Sequence, residues 1–314
     1  MARFTVLHTD ARSGAGIQDE KAELAKVNAE IVMSNGPGED DLIEAGRHVD
    51  GILNGGAQLT RRVLESLTNC KVIARYGVGV DTVDLDAATD CGIAVANVPD
   101  FCIEEVSNHT LMLILACSRK LCLLSNSVKS GRWDRSKRSP MGKIQGQTLG
   151  LVAFGRLARA VAVKAKVFGL RVLVYDPYVS AGIAGQYGVE FTSLERLLAE
   201  SDYVSVHTPL NEETRHLFDA GRFRQMKPGA YFVNTSRGPV VDEAALLQAL
   251  NEGWIAGAAV DVFQKEPPDP DNPLFKLENF IATPHMASYS DAAFADLRLR
   301  VAQEVSRVLT GQWP

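Results

Sequence analysis

The chain has 314 residues, of which 46% are hydrophobic and 23% are charged, and its formal net charge is −5. This length is enough for two domains with cores of their own, and the acidic balance argues against a nucleic-acid-binding surface. The longest apolar run, TLMLILAC at 110–117, is far shorter than a membrane span, so we predict no membrane partner.

The five cysteines form no C-x-x-C pair. Free thiols in a reducing compartment are therefore a better interpretation than disulfides or a metal site. Near the N-terminus, Asp10 and Arg12 interrupt the sequence too early for the apolar core of a signal peptide. We predict a cytoplasmic protein with no bound metal.

Short β-branched runs alternate with helical patterns from end to end, which is typical of an α/β protein with parallel sheets. Helical stretches in the first part include 17–27 and 39–47. The strands predicted in this part are 3–8, 29–34, 49–55, 70–77 and 92–98. These compact βα units end near Val98 and Pro99.

An amphipathic pattern follows, and it predicts one long helix over 103–121. Its apolar face carries His109, which we interpret as a packed histidine rather than a ligand. Beyond it, strands are predicted at 149–153, 171–176, 203–207, 230–234, 257–262 and 280–283. Helices are predicted at about 155–168, 193–200, 219–226, 242–252 and 289–310. The four prolines of 266–273 exclude regular pairing and predict a loop.

The stretch LGLVAFGRLARAVAVKAKVFGLRVLVYDPY, 149–178, predicts a strand, a tight turn, a helix and a second strand. The three glycines of a dinucleotide fingerprint correspond to Ala153, Gly155 and Ala158. Gly155 keeps the position where a phosphate approaches the backbone, and alanine is accepted at the third position. Only Ala153 departs from the pattern, and we interpret it as a turn residue with negative φ. The helix N-terminus would attract the pyrophosphate.

Asp176 ends the second of these strands. A carboxylate there can bind the ribose hydroxyls and would repel a 2′-phosphate, so NAD is favoured over NADP. By itself, however, a degenerate fingerprint does not distinguish a cofactor site from an ordinary βαβ unit.

Three polar side chains follow predicted strands in the last third of the chain: Arg237, Glu266 and His285. Each one alone could be a solvated or capped loop residue. Together they suit the reduction of a 2-keto acid, because a guanidinium binds a carboxylate at two points and a histidine can donate a proton. A carboxylate beside that histidine favours its protonated form, and such acid–base catalysis contributes about 10²–10⁴ in rate.

With these residues in their motifs, the chain resembles the NAD-dependent D-2-hydroxyacid dehydrogenases over nearly its whole length. The motifs are RYGVGVDTVD, VPDFCIEEVSNHTL, KPGAYFVNTSRGPVVDE, AGAAVDVFQKEPP and ATPHMASYS. The second motif is most similar to the branch that contains the C-terminal-binding-protein corepressors.

The resemblance implies two doubly wound parallel-sheet domains of the Rossmann or flavodoxin-like kind. Residues 1–98 plus 287–314 would bind the substrate, and residues 99–286 would bind NAD. The helix at 103–121 would join two subunits into a homodimer. The activity implied is the interconversion of a small 2-keto acid and its D-2-hydroxy acid.

The resemblance also assigns roles to individual residues. Arg237 would bind the substrate, Glu266 would partner the histidine, and His285 would donate the proton. Val78 and Gly79 would contact the substrate through backbone N–H groups. The implied cofactor contacts are Gly155, Arg156, Leu157, Asp176, His207, Thr208, Pro209, Thr214, Thr235, Ser236, Arg237, Asp261, His285, Ala287 and Ser288. Among these, Thr235 and Asp261 would hold the nicotinamide carboxamide.

Two questions stay open at this point. Ser288 stands where the corepressor branch has tryptophan, so the side chain of the substrate is not implied by that branch. A non-catalytic, NAD(H)-responsive binding protein like the corepressors is the alternative function, although such a protein would not need a complete catalytic set.

Overall fold

A computed structural model describes residues 3–9, 17–36, 38–136 and 140–314 of the chain. Its strands are β1 Phe4–His8, β2 Ala29–Met33, β3 Gly51–Asn54, β4 Val72–Arg75, β5 Ala94–Ala96, β6 Thr148–Val152, β7 Arg171–Tyr175, β8 Glu190–Phe191, β9 Tyr203–Val206, β10 Tyr231–Asn234, β11 Gly257–Val260 and β12 Phe280–Ala282. Its helices are α1 Gln18–Ala25, α2 Glu39–Gly46, α3 Arg61–Ser66, α4 Leu85–Asp90, α5 Ile103–Ser118, α6 Leu121–Lys129, α7 Arg156–Val167, α8 Ala181–Gln186, α9 Leu194–Glu200, α10 Ala220–Gln225, α11 Glu243–Asn251 and α12 Asp291–Leu309. Short 3₁₀ turns are found at Gly238–Val240 and Pro273–Lys276.

The chain divides into two compact units, Met1–Cys102 with Ser290–Pro314, and Ile103–Tyr289. The first unit contains a five-stranded parallel sheet in the order β2-β1-β3-β4-β5. Its central strands β1, β3 and β4 are largely buried because helices cover both faces, which explains their nearly continuous apolar runs. The apolar stripe of α12 packs on β3 and β4 of this unit, with Leu297, Val301 and Val305 fully buried.

The second unit contains a seven-stranded parallel sheet in the order β12-β11-β10-β9-β6-β7-β8. The strand order reverses between β6 and β9, since the chain runs outward from β6 in one direction and from β9 in the other. Ligands of doubly wound sheets bind at the carboxyl ends of the strands beside such a reversal. The predicted α/β architecture with two parallel sheets is confirmed.

The prediction of one long helix over 103–121 was wrong. The structure has α5 and α6, which meet at 65° across a break at Arg119 and Lys120. Lys120 takes the left-handed conformation (φ 51°), which ends a right-handed helix. The apolar spacing continues across the break, so the periodicity alone could not reveal it.

The short elements α8 and β8 were not predicted, because one turn of helix or two strand residues carry little periodic signal. Within the described parts of the chain, no single helix has the length and apolar composition needed to cross a membrane, and α5 with α6 passes such a test only as a bent pair.

Candidate functional site

The turn between β6 and α7 begins at Ala153, whose φ is +74°. The interpretation of Ala153 as a residue with negative φ was therefore wrong. The strand must reverse sharply into the helix, and the left-handed conformation that glycine usually supplies is here imposed on alanine. Hydrogen bonds on both sides maintain it: the Ala153 N–H donates to the Tyr175 carbonyl (2.8 Å), and the Phe154 N–H donates to Asp176 Oδ2 (2.7 Å).

Gly155 is the N-cap of α7 and is exposed. A Cβ at this position would meet no protein atom within 4 Å, so the space in front of the helix is open. The first-turn N–H groups of a helix are unsatisfied within the helix and favour an anion. Ala158 is fully buried where the helix packs on the sheet, whereas Arg156 is exposed and Leu157 half-buried. These features fit a pyrophosphate.

Asp176 follows β7 and is buried. In addition to the Phe154 N–H, its carboxylate accepts hydrogen bonds at Oδ1 from the N–H groups of Tyr178 (2.8 Å) and Val179 (3.1 Å). A carboxylate offers about four acceptor positions, so capacity for ribose hydroxyls remains. The Asp176 carboxylate therefore fixes the turn between β6 and α7. It follows β7, where the sequence predicted a carboxylate for the ribose hydroxyls.

The loop after β9 carries His207, Thr208 and Pro209. The His207 ring lies 3.0 Å from Ser205 Oγ, and burial lowers its pKa to about 4, so the imidazole is neutral at physiological pH. Thr208 is buried, and its Oγ1 has no hydrogen-bond partner within the described part of the chain. Buried hydroxyls are normally bonded, which fits a ligand at this position. The Pro209 carbonyl accepts from Thr214 Oγ1 (2.7 Å).

The turn after β10 is organised by Asn234, which the sequence did not single out. Its Oδ1 accepts from the N–H and the hydroxyl of Ser236 (2.9 and 2.8 Å), and its Nδ2 donates to the Arg237 carbonyl (2.9 Å). The signal that could have found it is an asparagine at a strand end before small hydroxyl residues, which is typical of an Asx turn. These bonds fix the backbone that carries Arg237.

Gly238 allows this turn to approach the loop after β11. A Cβ on Gly238 would come within 1.9 Å of the backbone carbonyl of Phe263, so only glycine fits here. Glu266 lies in that second loop, and the positive charge of Arg237 acts on its carboxylate. The close approach of the two backbones thus brings Arg237 near Glu266.

The centre of the site is a contact between His285 Nδ1 and Glu266 Oε2 at 2.6 Å. Glu266 Oε1 accepts a second bond from the Phe263 N–H at 2.9 Å. Burial raises the pKa of Glu266, but the bonds from His285 and Phe263 and the charges of His285 and Arg237 outweigh it, so the net shift is downward. The side chains of His285 and Glu266 are 46% and 36% exposed, which leaves the pair accessible to a ligand.

Asp261 follows β11 directly and is 1% exposed. Its hydrogen bonds hold the backbone of His285 and of the two residues after it. Its carbonyl accepts from the His285 N–H (2.8 Å), and its carboxylate accepts from the N–H groups of Met286 (3.0 Å) and Ala287 (2.8 Å). His285 itself has a φ of +54°, a conformation that a non-glycine residue keeps only when its surroundings hold it there.

Asp261 also meets groups from outside its own loop. Thr283 Oγ1 donates to Asp261 Oδ1 (2.5 Å), and His109 Nε2 on α5 lies 3.0 Å from that hydroxyl. The neighbouring Thr110 bonds to Thr235 Oγ1 at 2.9 Å. The sequence did not predict Thr283 or His109 as part of the site, because only the tertiary fold brings α5 to these loops.

The remaining predicted residues are distributed as follows. Ala287 is buried and Ser288 half-buried, directly after His285 and Met286. Val78 and Gly79 lie in the other unit, in the loop after β4, where Asn97 Nδ2 donates to the Val78 carbonyl (2.6 Å). Across the described ranges, no group of three or more His, Cys, Asp or Glu side chains could hold a metal ion.

Comparison with known proteins shows what these features belong to. A model of the family "D-isomer specific 2-hydroxyacid dehydrogenase, NAD binding domain" matches residues 111–287. The chain belongs to this family. The predictions of the family and of NAD as its cofactor are confirmed.

Relatives with different activities share this sequence pattern. The chain is 37% identical to a D-3-phosphoglycerate dehydrogenase of Archaeoglobus fulgidus over 94% of its own length but only 56% of that protein. It thus spans little more than half of that relative. It is also 42% identical to a glyoxylate reductase of Korarchaeum cryptofilum, covering 80% of this chain and 77% of that one.

Solved structures extend the likeness to the whole described fold. A Thermus thermophilus protein superposes with a TM-score of 0.88 and 34% identity, covering 99% of this chain and 98% of that one. The D-lactate dehydrogenase of Aquifex aeolicus, solved with NAD and lactic acid, has a TM-score of 0.85 and 29% identity, covering 98% and 96%.

Replacing Ala153 by glycine tests whether the positive φ of residue 153 strains the turn between β6 and α7. We expect A153G to gain up to about 1 kcal/mol in the free energy of unfolding, because the left-handed penalty of alanine exceeds the entropy cost of glycine. The dissociation constant for NADH should change by no more than about tenfold, on the order of 1.4 kcal/mol. Urea denaturation and NADH titration measure both quantities.

Ala160→Gly, at a half-buried alanine inside α7, is the matched control, since it should lose about 1 kcal/mol as an ordinary helix-interior substitution. A less stable A153G protein would contradict the strain, and a much larger gain in NADH affinity would mean that Ala153 weakens the site.

His207 gives a pH-dependent prediction. Its pKa is about 4 in the folded chain and 6.5 ordinarily, so between these values the unfolded state binds more protons. The contribution of His207 to the free energy of unfolding is therefore complete above pH 6.5 and is lost as the pH falls towards 4. We expect the urea midpoint to fall less steeply over this window in His207→Gln than in the wild type. His48→Gln, at an exposed histidine bonded to Thr68, serves as the control, and equal slopes for all three proteins would refute the prediction.

Proposed function

We propose that the protein is an NAD-dependent oxidoreductase that interconverts a small 2-keto acid and its D-2-hydroxy acid. The observation that carries this proposal is the 2.6 Å contact between His285 and Glu266, with Arg237 nearby, in the unit that bears the NAD-binding turn. Family membership supports the same reaction class.

His285 is the proton donor in the direction of reduction. Ionised Glu266 accepts the Nδ1 proton, which fixes the ring and leaves Nε2 as the atom that gives its proton to the keto oxygen. NADH, when bound, supplies the hydride to the carbonyl carbon. In the reverse direction the imidazole takes up the hydroxyl proton. The low pKa of Glu266 keeps it an acceptor throughout.

Arg237 binds the substrate carboxylate, since a planar guanidinium offers two parallel N–H donors and also polarises the neighbouring carbonyl. Val78 and Gly79 of the first unit contact the substrate through backbone N–H groups. In this proposal residues 1–98 with 287–314 form the substrate-binding domain, and residues 99–286 form the NAD-binding domain. Thr235 and Asp261 hold the carboxamide, and Asp176 binds the ribose. The other contacts to NAD are made by Gly155, Arg156, Leu157, His207, Thr208, Pro209, Thr214, Ser236, Ala287 and Ser288.

The relatives set the range of substrates to try. They are named for phosphoglycerate, glyoxylate and lactate, which share only a carboxylate next to a hydroxyl or carbonyl carbon. That shared unit is what Arg237 and His285 recognise. The substrate is therefore a small 2-keto or 2-hydroxy acid, and the panel should include glyoxylate, pyruvate, hydroxypyruvate, its phosphate ester and bulkier keto acids.

The decisive measurement follows NADH and NADPH absorbance across this panel. We expect turnover with NADH and at least a hundredfold lower kcat in His285→Ala, because acid catalysis contributes about 10²–10⁴. NADH affinity should stay within about threefold, since the ring would be lost without disturbing the turn at Gly155. His48→Ala is the matched histidine control.

Three other outcomes would each contradict a different part of the proposal. No turnover on any keto acid by a protein that binds NADH would overturn the enzymatic function, and a protein partner captured only with NADH would favour the corepressor-like alternative. Equal loss of turnover and NADH affinity in His285→Ala would show that the role of His285 is wrongly assigned.

A homodimer through the segment 103–121, which comprises α5 and the start of α6, is part of the proposal. The surface formed by α5, α6 and α7 exposes several large apolar side chains around an open groove: Met112, Leu121, Val167 and Phe168. Val167 is 85% exposed, and contiguous apolar patches of this kind mark interfaces. A second copy is the occupant because symmetric pairing covers the same patch on both subunits. None of the five cysteines forms a disulfide within the described residues, which favours the reducing cytoplasm as the compartment of the protein; cell fractionation tests this.

Val167→Glu tests the interface. A charge in the middle of the apolar surface should convert a dimer into a monomer in sedimentation experiments, since burying an unpaired carboxylate is costly. Leu85→Glu, at an exposed leucine of α4, is the control and should leave the dimer intact. A wild-type protein that sediments as a monomer, or a Val167→Glu protein that remains dimeric, would refute this interface.

A further inference from the structure

We propose that His109 is a positioning residue for the proton donor, acting on His285 through Thr283 and Asp261. This inference rests on the proposed function, in which His285 donates the proton. His109 lies on α5, far from His285 in sequence, and no motif of the chain singled it out as functional.

We call the hydrogen-bonded chain His109–Thr283–Asp261 the relay. The distances determine which group donates at each of its two bonds. Thr283 has one hydroxyl proton, and it is donated to Asp261 Oδ1 at 2.5 Å. The same hydroxyl lies 3.0 Å from His109 Nε2, so its oxygen accepts a hydrogen bond from the Nε2–H group. His109 Nε2 is also 3.6 Å from Asp261 Oδ1, which places two N–H or O–H dipoles towards one buried carboxylate oxygen.

Asp261 is in turn hydrogen-bonded to the loop that carries His285, so the position of its carboxylate affects the position of that loop. Its carbonyl accepts from the His285 N–H, and its carboxylate accepts from Met286 and Ala287. The strained φ of +54° at His285 is thus held by bonds to one aspartate on both sides of the residue. A shift of the Asp261 carboxylate would move the backbone on which the His285 ring is mounted.

His109 contributes by committing the Thr283 hydroxyl to Asp261. Without a donor at Nε2, the Thr283 oxygen loses the bond that holds it in place and polarises its hydroxyl, so its bond to the buried Asp261 carboxylate becomes weaker and less well directed. The position of α5 is fixed next to this point by the bond between Thr110 and Thr235, so His109 cannot follow a displaced loop. The expected consequence is a misplaced proton donor with an otherwise intact fold.

The experiment compares a disruptive and a conservative variant at two points of the relay. We expect His109→Leu and Thr283→Val to lower kcat for keto-acid reduction by about ten- to a hundredfold, because small misplacements of reacting groups cost rates of this order. The solvent deuterium isotope effect on kcat should rise, since proton transfer becomes slower, while NADH affinity, to which Asp261 contributes at the carboxamide, should fall less than kcat does.

His109→Gln and Thr283→Ser should recover kcat to within about threefold, because the amide of glutamine donates from nearly the same position and serine keeps the hydroxyl. His48→Leu is the matched control and should behave as wild type.

Two results would overturn the inference. One is an unchanged kcat and isotope effect in His109→Leu and Thr283→Val. The other is a loss of kcat, NADH affinity and thermal stability together that glutamine and serine do not repair, which would indicate a purely structural contact. The two proposals fail separately: no turnover of any keto acid by the wild-type protein refutes the proposed function, whereas an inactive His285→Ala beside a fully active His109→Leu refutes only the role of His109.

Discussion

The site depends above all on one buried carboxylate. Asp261 is 1% exposed, and burying a charge is tolerated only when hydrogen bonds compensate for the lost water. Here the compensation comes from Thr283, Met286 and Ala287, that is, from the loop after β12. The cost of burying the charge is therefore what ties that loop, and with it His285, to the end of β11. An apolar residue at 261 would leave these N–H groups without acceptors and His285 without a fixed position.

Parallel pairing brings the participating loops together. Asn234 lies beside Val260 in the register of β10 and β11, so Thr235 and Asp261 leave the sheet side by side. β12 pairs with β11 on the other side, which delivers Thr283 and His285 to the same edge. Because all strands run in one direction, residues separated by more than a hundred positions in sequence share one edge of one sheet. Gly238 then sets how closely the loops approach one another.

The sequence predicted most strands, because apolar β-branched runs bounded by turns are a strong local signal. It also selected Arg237, Glu266 and His285 by chemical type, and the structure brings Glu266 and His285 into contact. It did not detect the helix break at Lys120 or the positive φ of Ala153, since hydrophobic spacing carries no information about single backbone dihedrals. His109 could not be assigned from its own surroundings in sequence, where it is one polar residue on an apolar face; its partners come from a loop 174 residues away.

Two residues with positive φ at the edge of the second sheet are held in the same way. Ala153 and His285 both have positive φ, and each is followed by an N–H group that donates to an aspartate at the end of another strand, Asp176 and Asp261 respectively. Strain of this kind persists only where surrounding bonds maintain it. In both cases the bonds are made within the chain itself, so no ligand is needed to hold the turn at Ala153 or the loop at His285. Groups held in this way need no rearrangement during the reaction, which is the physical basis of electrostatic preorganisation. Asp176 and Asp261 therefore determine the shape of this edge of the sheet.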